Sequence, residues 1–308
     1  MVHFNDYMLP DNYDKKVDCK YTDSDLRDHI IERKLGEGNF GTVFIARMRK
    51  DNKLVAIKKV LRDTGEAYIF RNEYQNFKKI LHPYLIQYSG YFELQRYFNF
   101  VLEYAPNGTL ERRMDDRIDS QNTWTETDIG KMTADVLLGL EYLHHHSFVR
   151  RDLKPDNIVI DSNDRLKLTD FGMAKYIDVS GYATLYASQF DAKCYAAPEL
   201  LERREYDKSV DFWPLGVILY EMCTFWHPFL DKEPGTALPH IPNIYSNKLQ
   251  SIILEMLEVD PAYRCHEGDL KIEDIIKVHY DAAIRGFNDY WARKVLNNAD
   301  SSVEEEDY

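Results

Sequence analysis

Three glycines in the order G-x-G-x-x-G lie inside KLGEGNFGTVFIARM, residues 34–48. Glycines let backbone amides come close to phosphate oxygens and tolerate unusual dihedrals. The stretch runs through Leu35, Gly36, Glu37, Gly38, Asn39, Phe40, Gly41, Thr42 and Val43, with Phe40 at the tip, where it would shield phosphates from water. About one strand downstream, VAIKK carries Lys58 on the same side as the small Ala56, because side chains alternate along a strand. Glu73 falls in the middle of the apolar stripe formed by Ile69, Phe70, Phe77 and Ile80 at helical spacing. An unpaired carboxylate in such a stripe is costly, and Lys58 is its obvious partner. Further along, VRRDLKPDNIVI (149–160) and LTDFG (168–172) supply Asp152, Lys154, Asn157 and Asp170. Asp152 is a loop carboxylate suited to orienting a hydroxyl and receiving its proton, and Lys154 is an ammonium able to neutralise moving charge. Asn157 and Asp170 are hard oxygen donors of the kind Mg²⁺ accepts. The chemistry this set suits is phosphoryl transfer, where a loose transition state leaves the protein to position groups and balance charge.

The elements around these residues narrow the reading. A dinucleotide loop runs from a strand into a helix, whereas Gly41 is followed by the β-branched and aromatic TVFIAR, so the order is strand, glycine loop, strand. No Gly-Lys-Ser/Thr follows the glycines, which excludes a Walker loop. Short strand-like runs (TVFIAR, KLVAIKKVL, YSGYFEL, RYFNFVLEY) come first, interrupted by one helical segment, EAYIFRNEYQNFKKIL. After APNGTL, long helical patterns take over at DIGKMTADVLLGLEYLHHH, SVDFWPLGVILYEMC and NKLQSIILEML. A small β-rich lobe followed by a larger helical one is therefore expected, meeting near Tyr104 to Asn107.

Composition sets further bounds. The net charge of −13 argues against nucleic acid or an anionic membrane as the main partner and suits a cationic ligand such as a basic peptide. Four cysteines at 19, 194, 223 and 265 form no CxxC pair and are expected to be reduced thiols of an intracellular protein. The amino terminus has no apolar core of a signal peptide, and the apolar run Phe212 to Cys223 contains Glu221 and is too short to span a bilayer. A soluble protein of the cytoplasm or nucleus follows as the expectation. The histidine run 144–146 closes a helix and is expected at the surface rather than on a metal.

Taken in order, the glycine loop, VAIKK, Glu73, RRDLKPDN, DFG and YAAPEL resemble the eukaryotic-type protein kinases over about residues 30–284. The resemblance implies an α+β, two-lobed fold: a small antiparallel β-sheet lobe with one regulatory helix (30–104) and a larger, mainly helical lobe (105–284). An extension (1–29) and an acidic tail (285–308) would flank them. It implies ATP and Mg²⁺, with Asp152, Lys154 and Asn157 catalytic and Asn157 and Asp170 holding the metal. Leu102 of FVLEYA would guard the back pocket, the backbone of Glu103 and Ala105 would meet the adenine edge, and Leu35, Val43, Ala56 and Val159 would sandwich the ring. Glu199 would pair with Arg264, and Asp211 would brace the catalytic loop from a buried helix. Lys154 and Tyr195 resemble the serine/threonine branch rather than the tyrosine kinases, so the implied reaction moves the γ-phosphoryl group of ATP to Ser/Thr hydroxyls of proteins. A likeness to NimA-related and calcium/calmodulin-type kinases does not fix the group.

Two positions depart from the family pattern. Arg150 stands where histidine usually packs under the DFG phenylalanine, here Phe171, and must place its charge. Asp191 and Ala192 replace the usual Gly-Thr, removing a hydroxyl that would bond the catalytic aspartate and lysine. In the segment Asp170 to Glu199, Thr184, Tyr186 and Ser188 are acceptors for an activating kinase or for autophosphorylation, with Arg151 and Lys175 as phosphate partners. Two other readings stay open at this point: a scaffold that binds partners without catalysis, and a small-molecule phosphotransferase of the same fold.

Overall fold

A computed structural model describes residues 28–38, 41–62, 81–171, 175–176, 194–230, 232–271 and 273–286. The first lobe is a five-stranded antiparallel sheet of β1 (His29–Gly38), β2 (Gly41–Met48), β3 (Leu54–Leu61), β4 (Tyr88–Leu94) and β5 (Tyr97–Glu103), in the order β1-β2-β3-β5-β4. The alternation of its strands sorts the side chains. Ala46, Val55, Ile57, Phe92 and Val101 form a satellite cluster on one face. Ala56, Val60, Phe98, Phe100 and Leu102 join the main core on the other. Burying a large aliphatic or aromatic side chain contributes about 1.5–3 kcal/mol, so the alternation fixes the register: a one-residue slip would move each of them to the opposite face and out of its cluster.

The second lobe is mainly helical. α1 (Leu110–Asp119) is capped by Thr109, whose hydroxyl accepts from the Arg112 N–H at 3.2 Å. α2 (Glu126–His145) opens with a capping box between Thr125 and Asp128. Two small antiparallel sheets follow: β6 (Phe148–Val149) pairs with β9 (Lys175–Tyr176), and between them in the chain β7 (Ile158–Ile160) pairs with β8 (Leu166–Leu168) as a hairpin. Asp135 in α2 accepts from the Leu166 N–H at 2.9 Å, fastening that hairpin to the core. Then come α3 (Pro198–Leu201), α4 (Phe212–Thr224), α5 (Asn247–Met256) and α6 (Glu267–Lys271), and residues 274–286 are helical as well. Eleven of the thirteen residues of α4 are buried, as the apolar run Phe212 to Cys223 implied. No helix among the described residues is long and apolar enough to cross a membrane.

The small β-sheet lobe and the helical lobe agree with the architecture expected from the sequence. The helix expected around Glu73 lies outside the described residues, as does most of the segment between Phe171 and Cys194. One expectation is corrected. His144 is not a surface residue: its side chain is 2% exposed, and its Nε2 lies 2.7 Å from Asp211 Oδ2. The apolar periodicity of α2 continues through this histidine, and a buried carboxylate on the 3₁₀ turn that leads into α4 makes its burial tolerable.

Candidate active site

The glycine stretch forms the β1–β2 hairpin. Thr42 pairs with Glu37, Gly41 with Gly38 and Val43 with Gly36 in the antiparallel register. Gly41 has φ +128°, and a Cβ there would meet Lys59 O at 2.2 Å, so only glycine fits against the neighbouring strand. Gly36 is different: a Cβ there would meet nothing within 4 Å. Its bareness leaves open space over the cleft it lines. Glu37 is engaged by Lys34. Asn39 and Phe40 lie outside the described residues.

Beneath the hairpin, between the lobes, lies a cavity of about 650 Å³. Leu35, Val43 and Ala56 line it from above, Val159 from below, and Leu102, Glu103 and Ala105 along the connecting strand and the segment after it. Pairing explains the geometry. β3 sets Ala56 opposite Leu102 and Lys58 opposite Phe100, so alternate residues Ala56 and Lys58 both turn to the cleft. The Glu103 N–H donates to Gln87 O at 2.9 Å, which occupies that amide.

Lys58, Asn157 and Asp170 line the cavity, and Asp152, which does not line it, is bonded to Asn157. Lys58 Nζ lies 2.7 Å from Asp170 Oδ1. Burial raises the Asp170 pKa, but the charges of Lys58, Arg150 and Lys154 outweigh it and hold the carboxyl below its ordinary value. Asn157, on the 3₁₀ turn Pro155–Asn157, donates through Nδ2 to Asp152 Oδ2 at 2.7 Å and to Asp152 O at 3.1 Å. Glu73 lies outside the described residues, so its expected contact with Lys58 does too.

The loop carrying Asp152 hangs from the interior of the large lobe. Asp211, fully buried at the head of α4, accepts from the Arg150 N–H at 2.8 Å and from the Arg151 N–H at 2.7 Å. Two amides held by one carboxylate fix the backbone just before Asp152, where Arg151 adopts φ +62°. The Arg151 guanidinium donates to the Tyr206 hydroxyl at 3.2 Å. Glu199 and Arg264 meet in a two-pronged pair at 2.6 and 3.0 Å, both fully buried, joining α3 to the helical core. Thr184, Tyr186, Ser188, Asp191 and Ala192 lie outside the described residues, and so does the Lys175 side chain.

Several residues of the site escaped the sequence reading. Lys167 on β8, almost fully buried, gives both oxygens of Glu103 a partner at 2.7 and 2.8 Å. A lysine between two leucines in RLKLTD was the available signal, since a buried strand lysine requires a carboxylate. At the outer mouth, Glu111 on α1 shares a hydrogen bond with Asp156, which pushes the Glu111 carboxyl up to about 8, with burial and Asp115 adding to the rise. Helix and loop bring these acids together from 45 positions apart, a proximity that no local spacing reveals.

Residues 29–280 match the protein kinase domain family. The chain is 30% identical to the Aurora kinase of Saccharomyces cerevisiae, over 82% of its own length and 70% of that protein. It is 30% identical to the serine/threonine-protein kinase akt-2 of Caenorhabditis elegans, over 80% of its length and 48% of that protein. It is 28% identical to the serine/threonine-protein kinase Nek3 of Mus musculus, over 78% of its length and 48% of that protein. The chain thus spans about half the length of the last two relatives.

Proposed function

The chain belongs to the protein kinase family, and on that premise we propose that it is an ATP-dependent protein serine/threonine kinase, transferring the γ-phosphoryl group to Ser/Thr hydroxyls of proteins. The observation that carries this reading is the meeting of Lys58, Asn157 and Asp170 in one cavity under a glycine hairpin, with Asp152 bonded to Asn157. About 650 Å³ lies within the range of small-molecule sites, and Gly36 leaves space where any side chain would intrude. Adenine would lie between Leu35, Val43, Ala56 and Val159. Because the Glu103 amide is taken by Gln87, the hinge would offer adenine the Glu103 carbonyl and the Ala105 N–H.

The donor set also fits a divalent cation. Asn157 spends its amide nitrogen on Asp152, which leaves its oxygen for a metal, and Asp170 is held ionised. These two residues would hold Mg²⁺. When bound, it neutralises charge on the phosphate oxygens. Lys58 would contact the α- and β-phosphates, Lys154 would balance charge on the moving group, and Asp152 would orient the acceptor hydroxyl and take its proton. Tyr195 and the Glu199–Arg264 pair support a peptide platform, and the relatives' serine/threonine names favour a hydroxyl acceptor of that kind.

Protein substrates with basic residues near the acceptor fit Glu111 and Asp156, two acids held side by side, although Arg112 and Arg113 also line the cleft. We place the action in the cytoplasm or nucleus, consistent with thiols that carry no pairing motif. The decisive experiment is Asp152→Asn. Transfer from ATP·Mg²⁺ to a Ser/Thr peptide library is expected to fall at least about 100-fold while nucleotide binding persists. Unchanged transfer would remove Asp152 from the role of base.

A further inference from the structure

A second cavity, of about 550 Å³, opens on the large lobe and shares no lining residue with the nucleotide cleft. One wall is α5, which brings Gln250, Leu254 and, just past its end, Leu257 to the cavity at helical spacing. The opposite wall comes from residues 235–241, a stretch without helix or strand. Phe229, Ile241 and Leu257 are its buried lining, and the Phe229 ring stacks on that of the fully buried Trp213 at 5.1 Å.

The walls are fixed in advance. The Tyr220 hydroxyl of α4 donates to Pro239 O at 2.8 Å. Thr236 donates to Glu233 O through its amide at 3.2 Å and its hydroxyl at 2.8 Å. The Gln250 amide donates to Tyr245 O at 2.9 Å, tying the stretch to α5. Gly235, with φ +86°, runs so close to Val259 that a Cβ would stand 3.3 Å from its Cγ2. A hollow held open this way costs little ordering when a ligand enters.

Its chemistry is apolar inside and acidic at the border. Leu254 is 50% exposed, whereas Leu249, Ile252, Ile253 and Met256 of the same helix are buried in the core, so α5 carries a second apolar row half open to solvent. Glu258 lines the cavity, Glu233 is bonded to its Thr236, and Asp260 follows its Val259 in the chain. Among the described residues none of these three carboxylates forms an ion pair, while Lys248 is paired with Glu273 at 2.9 Å. Only Lys232 and His240 stand against them within 229–260. Such a hollow selects a chain that offers a large apolar side chain flanked by Lys or Arg. The carboxyl-terminal sequence SSVEEEDY has the same sign as the border, and a second copy brings a net charge of −13, so neither matches.

We propose that this cavity is a docking site for a basic segment of a protein substrate, outside the acceptor sequence. The segment seats one large apolar side chain against Leu238 and Leu254 and sets its Lys or Arg residues beside Glu258 and Glu233. Naming a substrate as the occupant rests on the kinase reading; selection of a basic, apolar chain does not.

The test uses the full chain and an array of short peptides with one Leu, Ile or Phe among Lys and Arg. Matched arrays carry Ser for the apolar residue or Glu for the bases. Binding is expected from the first array alone, and should weaken about ten-fold or more in Leu254→Glu and in Glu258→Lys. Joining the best binder by a flexible linker to a Ser/Thr acceptor peptide should lower its KM about ten-fold, with kcat within about two-fold. Leu254→Glu should cancel that gain and leave transfer to the unlinked acceptor unchanged. Equal binding of all arrays, preference for the Glu array, or binding that both variants retain would overturn the proposal. Binding without a KM gain on the linked acceptor would refute a substrate as occupant. Sedimentation in which the wild type dimerises and Leu254→Glu does not would make a second copy the occupant and refute it as well. Should Leu254→Glu not fold, Glu258→Lys is judged on the same readouts. Absence of phosphoryl transfer to any acceptor would refute the kinase reading and leave the array to judge the cavity.

Discussion

Lys58 Nζ and Asp170 Oδ1 stand 2.7 Å apart, one carried by the sheet of the small lobe and the other by the loop after β8 in the large one. The ammonium is thereby aimed into the cleft from above and the carboxylate from below. Replacing Lys58 with Met should lower phosphoryl transfer at least about 100-fold, the usual cost of deleting one charged contact to a reacting group. The circular dichroism spectrum should be unchanged. Activity within two-fold of wild type would show that Lys58 is not needed for phosphate contact.

The two glycines of the hairpin should separate fold from binding. Gly41→Val forces a side chain against Lys59 O at a φ of +128°, and a loss of about 1–3 kcal/mol in unfolding free energy is expected. A Cβ at Gly36 would meet no atom within 4 Å, so Gly36→Val should leave stability within about 0.5 kcal/mol. Nucleotide titration should instead show weakened binding for Gly36→Val, because the new side chain takes space in the cleft.

Much of this site was legible because its residues are local in sequence or periodic. The glycine spacing, the alternation that puts Ala56 and Lys58 on one side, and the packed motif around Asp152 each announce themselves within a dozen residues. The buried run of α4 was equally plain, since no solvent-facing helix has that composition. Contacts made across long separations were not. His144 looked like part of a polar run, because its partner Asp211 is 67 positions away. Lys167 and Glu103 are 64 apart, and their pairing depends on how the hinge strand lies over β8. The Glu199–Arg264 pair, 65 apart, was anticipated only through family resemblance. Spacing gives no account of it.

That pair gives the clearest test of stability. Both side chains are fully buried, so removing one leaves the other charged and uncompensated. Glu199→Gln or Arg264→Met should each cost about 3–5 kcal/mol in urea unfolding. The double variant Glu199→Leu with Arg264→Met should cost less than either single change, because no lone charge remains. Additive losses would contradict a coupled pair.

His144 makes stability depend on pH. Burial disfavours its charged ring, but hydrogen bonds and charge from Asp211 and Glu267 outweigh burial and raise its pKa above 6.5. A base whose pKa is raised by folding stabilises the native state fully below its unfolded value. That contribution fades as pH climbs through the folded value. Glu267 behaves oppositely: its partners His144 and Lys208 overcome burial and lower it from 4.5 to about 2, so its contribution is full above 4.5 and is lost as pH falls toward 2. The gap in unfolding free energy between wild type and His144→Gln should therefore be widest near pH 5–6. It should shrink from about pH 6.5 upward. Urea titrations between pH 5 and 9 that show a constant gap would mean that folding leaves the pKa of the ring unshifted.

Because α4 is sealed inside the large lobe and carries Asp211 at its head, the shape of the chemical loop is inherited from the interior and not from the surface. The outer loops and rims of that lobe can then drift in composition, acquiring or losing recognition of new protein targets, without retuning the groups that move the phosphoryl. Diversification of targets and conservation of chemistry are, in this architecture, mechanically uncoupled.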